Sequence, residues 1–153
     1  MKPSIYIDAD ACPVKDEAIK VAARHDLVVT FVSNGGLRPS RAPMVRHVVV
    51  PASADAADDW IVDHAVANDI AVTADVPLAA RLVEKSVHVL GPTGRLFTPE
   101  TIGMAVAMRD LKQHLRETGE IKGYNPGFTQ KDRSAFLSAL DLAVRRALKE
   151  AAQ

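Results

Sequence analysis

Short apolar runs rich in β-branched residues alternate with stretches of helical spacing over the first two thirds of the chain. The strand-like runs cover 4–7, 27–32, 48–50, 70–73 and 87–90. Helical spacing follows the first, third and fourth runs, while 33–43 has the composition of a loop. Such alternation predicts βαβ units and a parallel sheet. Because βαβ crossovers are right-handed, we expect a doubly wound sheet. We take its strand order to be 3-2-1-4-5.

The remaining third of the chain is predicted to be helical. Thr98, Pro99 and Glu100 have the residue types of a helix start, and that helix should reach about Glu117. Thr129 followed by Asp132 resembles a capping box, which begins a last helix with a clean amphipathic stripe. We therefore expect an α/β protein with three α/β/α layers and a mainly parallel five-stranded sheet. Residues 1–153 would form a single domain, with 97–153 as a helical extension packed on it.

Composition and charge limit the kinds of partner that the protein can be expected to bind. The 153 residues include nineteen basic and nineteen acidic side chains, so the formal net charge is zero. A nucleic-acid partner would therefore have to be met by a local basic patch. The single cysteine cannot form an internal disulfide, and no apolar run approaches the ~20 residues of a membrane span. We expect a cytoplasmic protein with no membrane partner, and the oligomeric state stays open.

Aspartates follow two of the predicted strands. Asp8 and Asp10 come at the end of the first strand, and Asp75 follows the fourth. In an open α/β sheet, ligands bind outside the carboxyl ends of the strands, where strand order reverses. With order 3-2-1-4-5 that reversal lies between strands one and four, so Asp8 and Asp75 should be neighbours. The alternative is that these aspartates only cap the helices that follow them.

A helix starting near Asp55 carries further acids at Asp58, Asp59 and Asp63. Residues three and four apart share a helix face, so Asp55 can point the same way as Asp58 or Asp59. The alternative is a solvated helix face. Crowded carboxylates cannot all stay ionised unless a cation neutralises them, and oxygen ligands suit Mg²⁺ or Mn²⁺.

Four segments resemble the YaiI/YqxD family of PIN-like domain proteins over essentially the whole chain. They are DADACPVK from Asp8, ADAADDWI at 54–61, TADVPLA from Thr73 and DRSAFL from Asp132. PIN-like domains include metal-dependent ribonucleases, so the resemblance implies a metal-dependent nuclease. It implies that Asp8 takes the place of the first-strand aspartate and Asp75 that of the fourth-strand acid. Either Asp58 or Asp59 takes the place of the helix acid. With this resemblance, the predicted metal ligands are Asp8, Asp58, Asp59 and Asp75, and the predicted catalytic residues are Asp8, Asp10, Asp59 and Asp75.

Basic residues at two places are candidates for holding a phosphate backbone. The loop after the second strand has paired glycines with Arg38 and Arg41, and the last helix starts with Lys131 and Arg133. Arginine binds phosphate through two parallel hydrogen bonds, and a helix N-terminus favours anions. The predicted partner is RNA or single-stranded nucleic acid. An ordinary loop with solvated arginines is the alternative.

Three functions are consistent with these residues. The first is a metal-dependent phosphodiesterase or ribonuclease. The second is a non-catalytic module that binds RNA or protein. The third is a phosphatase with an aspartyl nucleophile, because Asp8 and Asp10 form a DxD motif after a strand.

Overall fold

A computed structural model of the protein describes residues 2–10, 12–35, 40–53, 55–118 and 128–152. The strands are β1 (Ile5–Asp8), β2 (Val29–Ser33), β3 (Val45–Val49), β4 (Ile70–Val72), β5 (His88–Leu90) and β6 (Leu96–Phe97). The helices are α1 (Lys15–His25), α2 (Ala56–His64), α3 (Val76–Glu84), α4 (Ile102–Glu117) and α5 (Gln130–Ala151).

The strands form one sheet in the order β3-β2-β1-β4-β5-β6. The first five strands pair in parallel, which confirms the predicted order 3-2-1-4-5. The sixth strand was not predicted, and it pairs antiparallel with β5. Because β6 is only two residues long, it shows no alternation that a sequence pattern could reveal. It is the edge strand on that side of the sheet, and residues 91–95 join it to β5 in a hairpin.

Helices cover both faces of the sheet, as a three-layer α/β/α fold requires. Side chains alternate along β1, so Ile5 and Ile7 lie in one core while Tyr6 packs against the other. The first core joins the sheet to α1 and α5 and includes Phe31 and Phe136. The second joins it to α2, α3 and α4. The two C-terminal helices therefore pack on opposite sides of the sheet.

Local hydrogen bonds decide where the helices begin and end. The predicted capping box of α5 is confirmed, since Thr129 and Asp132 bond to each other's backbone N–H groups. Helix α2 ends at His64, because the chain becomes extended at Ala65. The Asp69 carboxylate then accepts hydrogen bonds from the backbone N–H groups of Val66 and Ser4, which seats the turn before β4. In the described parts of the chain, no helix has the length and apolar character needed to cross a bilayer.

Candidate functional site

A threonine hydroxyl links two predicted site residues at the carboxyl edge of the sheet. Strands β1 and β4 are neighbours, so Asp8 at the end of β1 lies beside the segment that follows β4. Thr73 Oγ1 donates a 2.9 Å hydrogen bond to Asp8 Oδ2. The same oxygen accepts a 2.9 Å hydrogen bond from the backbone N–H of Asp75. The structure therefore brings Asp8 and Asp75 to the same crevice.

The Asp8 carboxylate is in an unfavourable place for a negative charge. Asp8 is only 6% exposed, and this burial is the main reason that the pKa of its carboxyl group is raised. The charges of Asp75 and Asp10 raise that pKa further, whereas the hydrogen bond from Thr73 lowers it. Positive charge at this position would be stabilising.

Helix α2 adds a third carboxylate to the crevice. The pKa of Asp58 is raised to about 6, first by burial and then by the charges of Asp75, Asp8 and Asp55. Its neighbour Asp59 is 58% exposed and makes a 2.9 Å ion pair with Arg81 of α3. Of the two predicted helix acids, Asp58 is therefore the one near Asp8 and Asp75. The carboxylate of Asp59 is paired with Arg81 instead.

Two of the predicted site residues also have structural partners. Asp75 is the N-cap of α3, where its Oδ1 accepts a 3.1 Å hydrogen bond from the backbone N–H of Leu78. Asp10 is exposed, and its Oδ2 accepts a 2.9 Å hydrogen bond from the backbone N–H of Asn34. The capping role suggested for Asp75 is real. Among the described residues, no hydrogen bond uses the other carboxylate oxygen, Oδ2.

The carboxylates share an edge without forming a ready-made coordination shell. Over the residues the structure describes, no three or more His, Cys, Asp or Glu side chains are close enough together to hold a metal ion. A cation bound here would contact one or two carboxylates directly and others through water, which is the usual arrangement for Mg²⁺.

Cys12 is buried near Asp8 and Ala74. Burial, together with the charge of Asp8, raises the pKa of its thiol to about 12, although a backbone hydrogen bond involving Ala74 partly opposes this. At neutral pH the thiol is therefore protonated and is not a nucleophile.

The predicted phosphate-binding residues have different surroundings. Arg38 lies outside the described residues, whereas Arg41 and Lys131 are exposed. Arg133 Nη1 donates hydrogen bonds to Glu17 Oε1 at 3.1 Å and to the carbonyl oxygen of Pro13 at 3.0 Å. Arg133 therefore joins the start of α5 to α1, so its charge is already partly neutralised.

Residues 6–146 match the family model described as "Uncharacterized BCR, YaiI/YqxD family". The chain belongs to the YaiI/YqxD family. The resemblance found in the sequence is thereby confirmed, and the match spans both the sheet and the C-terminal helices.

Bacterial relatives align with this YaiI/YqxD chain over nearly their whole length. The UPF0178 protein mlr0875 of Mesorhizobium japonicum is 72% identical over 149 residues, covering 97% of this chain and 96% of the relative. The UPF0178 protein Atu1478 of Agrobacterium fabrum is 65% identical over 147 residues, covering 96% of each. The UPF0178 protein Rru_A0086 of Rhodospirillum rubrum is 51% identical over 142 residues, covering 92% of this chain and 95% of the relative. No solved structure matches the chain.

Sequence reasoning missed two features of this YaiI/YqxD site. The sequence pattern predicts Thr73 only as the end of a strand. A hydroxyl two residues before Asp75 is nevertheless a recognisable signal for a hydrogen bond to the Asp75 backbone. A group of three cations beside Asp75 was also missed: Arg95, Arg109 and Lys112 line one cavity. Only the spacing of Arg109 and Lys112, three apart on one helix, pointed to a shared face.

Proposed function

We propose that this protein is a divalent-metal-dependent phosphodiesterase that acts on RNA or single-stranded nucleic acid. Asp8, Asp58 and Asp75 would hold Mg²⁺ or Mn²⁺. The observation that carries the proposal is the grouping of these three carboxylates, from three separate elements, at the crevice between β1 and β4. That crevice lies where the strand order reverses, the usual place for a ligand in an open α/β sheet.

The chemistry of the donor set fits a hard dication. The candidate ligands are all carboxylate oxygens, which Mg²⁺ and Mn²⁺ prefer, and histidine is not among them. Asp8 is buried and oriented by the Thr73 hydroxyl, so its side chain is already positioned. Burial, and after it the neighbouring carboxylates, raise the pKa values of Asp8 and Asp58, so ionising both is unfavourable without a nearby positive charge. A dication that contacts one or two of these carboxylates and keeps its waters supplies that compensation.

The chain's own residues have distinct parts in the proposed reaction. A bound Mg²⁺ or Mn²⁺ would supply Lewis acidity and lower the pKa of a coordinated water. Asp8 and Asp75 fix the position of the site, because Thr73 ties both of them to the strand ends. Asp10 is exposed beside Asp8 and is the proposed base that orients the water and accepts its proton. The water oxygen would bond to phosphorus as the bond from phosphorus to the leaving oxygen breaks, and the leaving oxygen, which keeps the bonding pair, would take a proton from solvent.

The proposal is tested by cleavage of a mixed panel of RNA and single-stranded DNA oligonucleotides with Mn²⁺, with Mg²⁺ and with EDTA. We expect cleavage that needs the metal and that falls at least a hundredfold in Asp8→Asn and Asp58→Asn. Asp59→Asn is the matched control, because it removes the same charge from the next position of α2 and should keep activity. Asp75→Asn preserves a capping side chain and should still lose activity.

The two alternative functions predict different results when the same purified protein is assayed. A non-catalytic module would bind the oligonucleotides without cutting any of them at saturating metal. An aspartyl phosphatase would release phosphate from a small phosphomonoester and form a beryllofluoride adduct at Asp8. Either result, or equal cleavage by Asp8→Asn and the wild type, overturns the proposal.

A further inference from the structure

A cavity of about 180 Å³ lies next to the carboxylate crevice, between the start of α3, the β5–β6 hairpin and α4. Its floor is apolar and is made by Val76, Ala105 and Met108. Val76 directly follows Asp75 in the chain, so their Cα atoms are about 3.8 Å apart. The cavity and the proposed metal site are therefore on the same edge of the sheet.

Among the residues that the structure describes, the charged side chains lining this cavity are all basic. Arg95 comes from the hairpin, while Arg109 and Lys112 come from α4. Arg109 and Lys112 are three residues apart, so they share a helix face. Cations gathered from two elements around one cavity repel each other, and a bound anion relieves that repulsion.

The three cations have little charge compensation from the part of the chain that the structure describes. Among the residues described, neither Arg95 nor Lys112 has a carboxylate oxygen within 4 Å of its charged nitrogen atoms. Arg109 Nη1 lies 3.6 Å from Oδ1 of Asp110, which is 68% exposed. An exposed pair of this kind contributes about 0–1 kcal/mol. By contrast, Arg133 is used in bonds to Glu17 and Pro13.

Arg95 is held in place without using its hydrogen-bond donors. Its guanidinium carbon lies 5.3 Å from the centre of the Phe97 ring, a cation–π contact. In the described part of the chain no hydrogen bond uses its N–H groups. A guanidinium oriented in this way can bind a phosphate through two parallel hydrogen bonds.

We propose that Arg95, Arg109 and Lys112 form a phosphate-binding subsite that holds the backbone of a single-stranded nucleic acid beside Asp75. The inference rests on the proposed function and adds how its substrate is positioned. A nucleic acid carries regularly spaced phosphates, so one phosphate can lie on the cations while a neighbouring one lies at the carboxylates. The apolar floor suits the sugar or base of the nucleotide between them.

The subsite is tested by binding alone, with the full chain in EDTA. A fluorescein-labelled single-stranded oligonucleotide is titrated by anisotropy over a range of salt concentrations. The test variant is Arg95→Gln with Arg109→Gln and Lys112→Gln. The matched control is Lys2→Gln with Arg146→Gln and Lys149→Gln, which removes the same charge from exposed positions. These lie near the opposite end of the strands, where Asn68 bonds to the carbonyl of Ala147.

We expect the test variant to bind at least tenfold more weakly than the wild type. Its plot of log affinity against log salt should be shallower by about two, since each lost phosphate contact in a single strand changes the slope by about 0.7. The control variant should stay within about twofold of the wild type. No binding by the wild type, or equal losses in both variants, overturns the subsite. So does a mononucleotide that binds as tightly as the oligonucleotide.

Cleavage measured in parallel separates this inference from the proposed function. If the wild type binds through the three cations but cuts nothing with Mn²⁺ or Mg²⁺, the subsite stands and the phosphodiesterase fails. If the wild type cuts and the test variant cuts with an unchanged KM, the phosphodiesterase stands and the subsite fails.

Discussion

Thr73 Oγ1 donates a 2.9 Å hydrogen bond to Asp8 Oδ2, which joins the residue after β4 to the last residue of β1. Both residues are buried. The same hydroxyl accepts the backbone N–H of Asp75, so one side chain sets the position of two predicted metal ligands. The candidate site is therefore built on the pairing of β1 with β4 rather than on a flexible loop.

Replacing Thr73 tests this link. Thr73→Val keeps the shape but removes both hydrogen bonds, so the free energy of unfolding at neutral pH should fall by about 1–2 kcal/mol. The pKa of Asp8 should rise further, because the hydrogen bond from Thr73 lowers it in the wild type. Urea unfolding and an NMR titration of the Asp8 carboxyl carbon measure the two effects. Thr73→Ser should restore both, and an unchanged Asp8 titration in the valine variant would contradict the link.

Asp58 should make stability depend on pH. Its pKa is about 6 in the folded protein against an ordinary value of 3.8, so the folded state holds a proton that the unfolded chain has lost. The wild type should therefore lose stability as pH rises from about 3.8 to 6, and Asp58→Asn should remove that loss. At neutral pH we expect this variant to be more stable by about 1 kcal/mol, after allowing for solvent screening of a half-buried group.

Asp59→Asn is the control for that measurement. It breaks an exposed pair with Arg81 and should change the free energy of unfolding by less than about 1 kcal/mol. Urea unfolding of wild type and both variants across pH gives the comparison. A difference between Asp58→Asn and wild type that stays constant with pH would show that the pKa of Asp58 is not raised in the folded protein.

The sequence was enough to predict which strand ends carry the candidate site. It could not predict the rotation of a helix or the packing of one element on another. The strand order predicted that Asp8 and Asp75 would be neighbours, because strand ends and helix crossovers leave few alternatives. The choice between Asp58 and Asp59 depended on the rotation of α2, since consecutive helical residues point about 100° apart. The cation group could not be predicted from the sequence, because Arg95 and α4 come together through tertiary packing, with α4 packed on α3.

A second charged centre joins α1 to α5. Asp141 is buried and accepts hydrogen bonds from Arg24 at 3.1 Å and Arg145 at 2.6 Å, and it bonds to His25 at 2.8 Å. These bonds, first that of His25, lower its pKa to about 2. The stability they supply is present above the ordinary pKa of 3.8 and is lost as pH falls through about 2. Asp141→Asn should cost about 2 kcal/mol at neutral pH, measured by urea unfolding.

The control for Asp141 is Arg145→Gln. It removes one exposed partner and leaves two, so its cost should be smaller. If Asp141→Asn has the same stability as wild type at neutral pH, the α1–α5 contact does not depend on this carboxylate.

Gly94 allows the β5–β6 hairpin to approach α5. Its φ is +92°, and a Cβ atom there would lie 2.9 Å from the backbone carbonyl oxygen of Ala135. Gly94→Ala should therefore lower the free energy of unfolding by about 2 kcal/mol or more, from backbone strain and the clash. Gly103→Ala is the matched control, because no atom lies near its Cβ position and alanine favours a helix. Equal thermal midpoints for the two variants would contradict this contact.

The most direct test of the proposed metal centre is a crystal structure of the protein soaked in Mn²⁺, with anomalous scattering to locate the ion. We predict a peak in the crevice between β1 and β4, within coordinating distance of a carboxylate oxygen of Asp8, Asp58 or Asp75, and no such peak in Asp58→Asn. An empty crevice at saturating Mn²⁺, or an ion bound only elsewhere on the protein, would contradict the account.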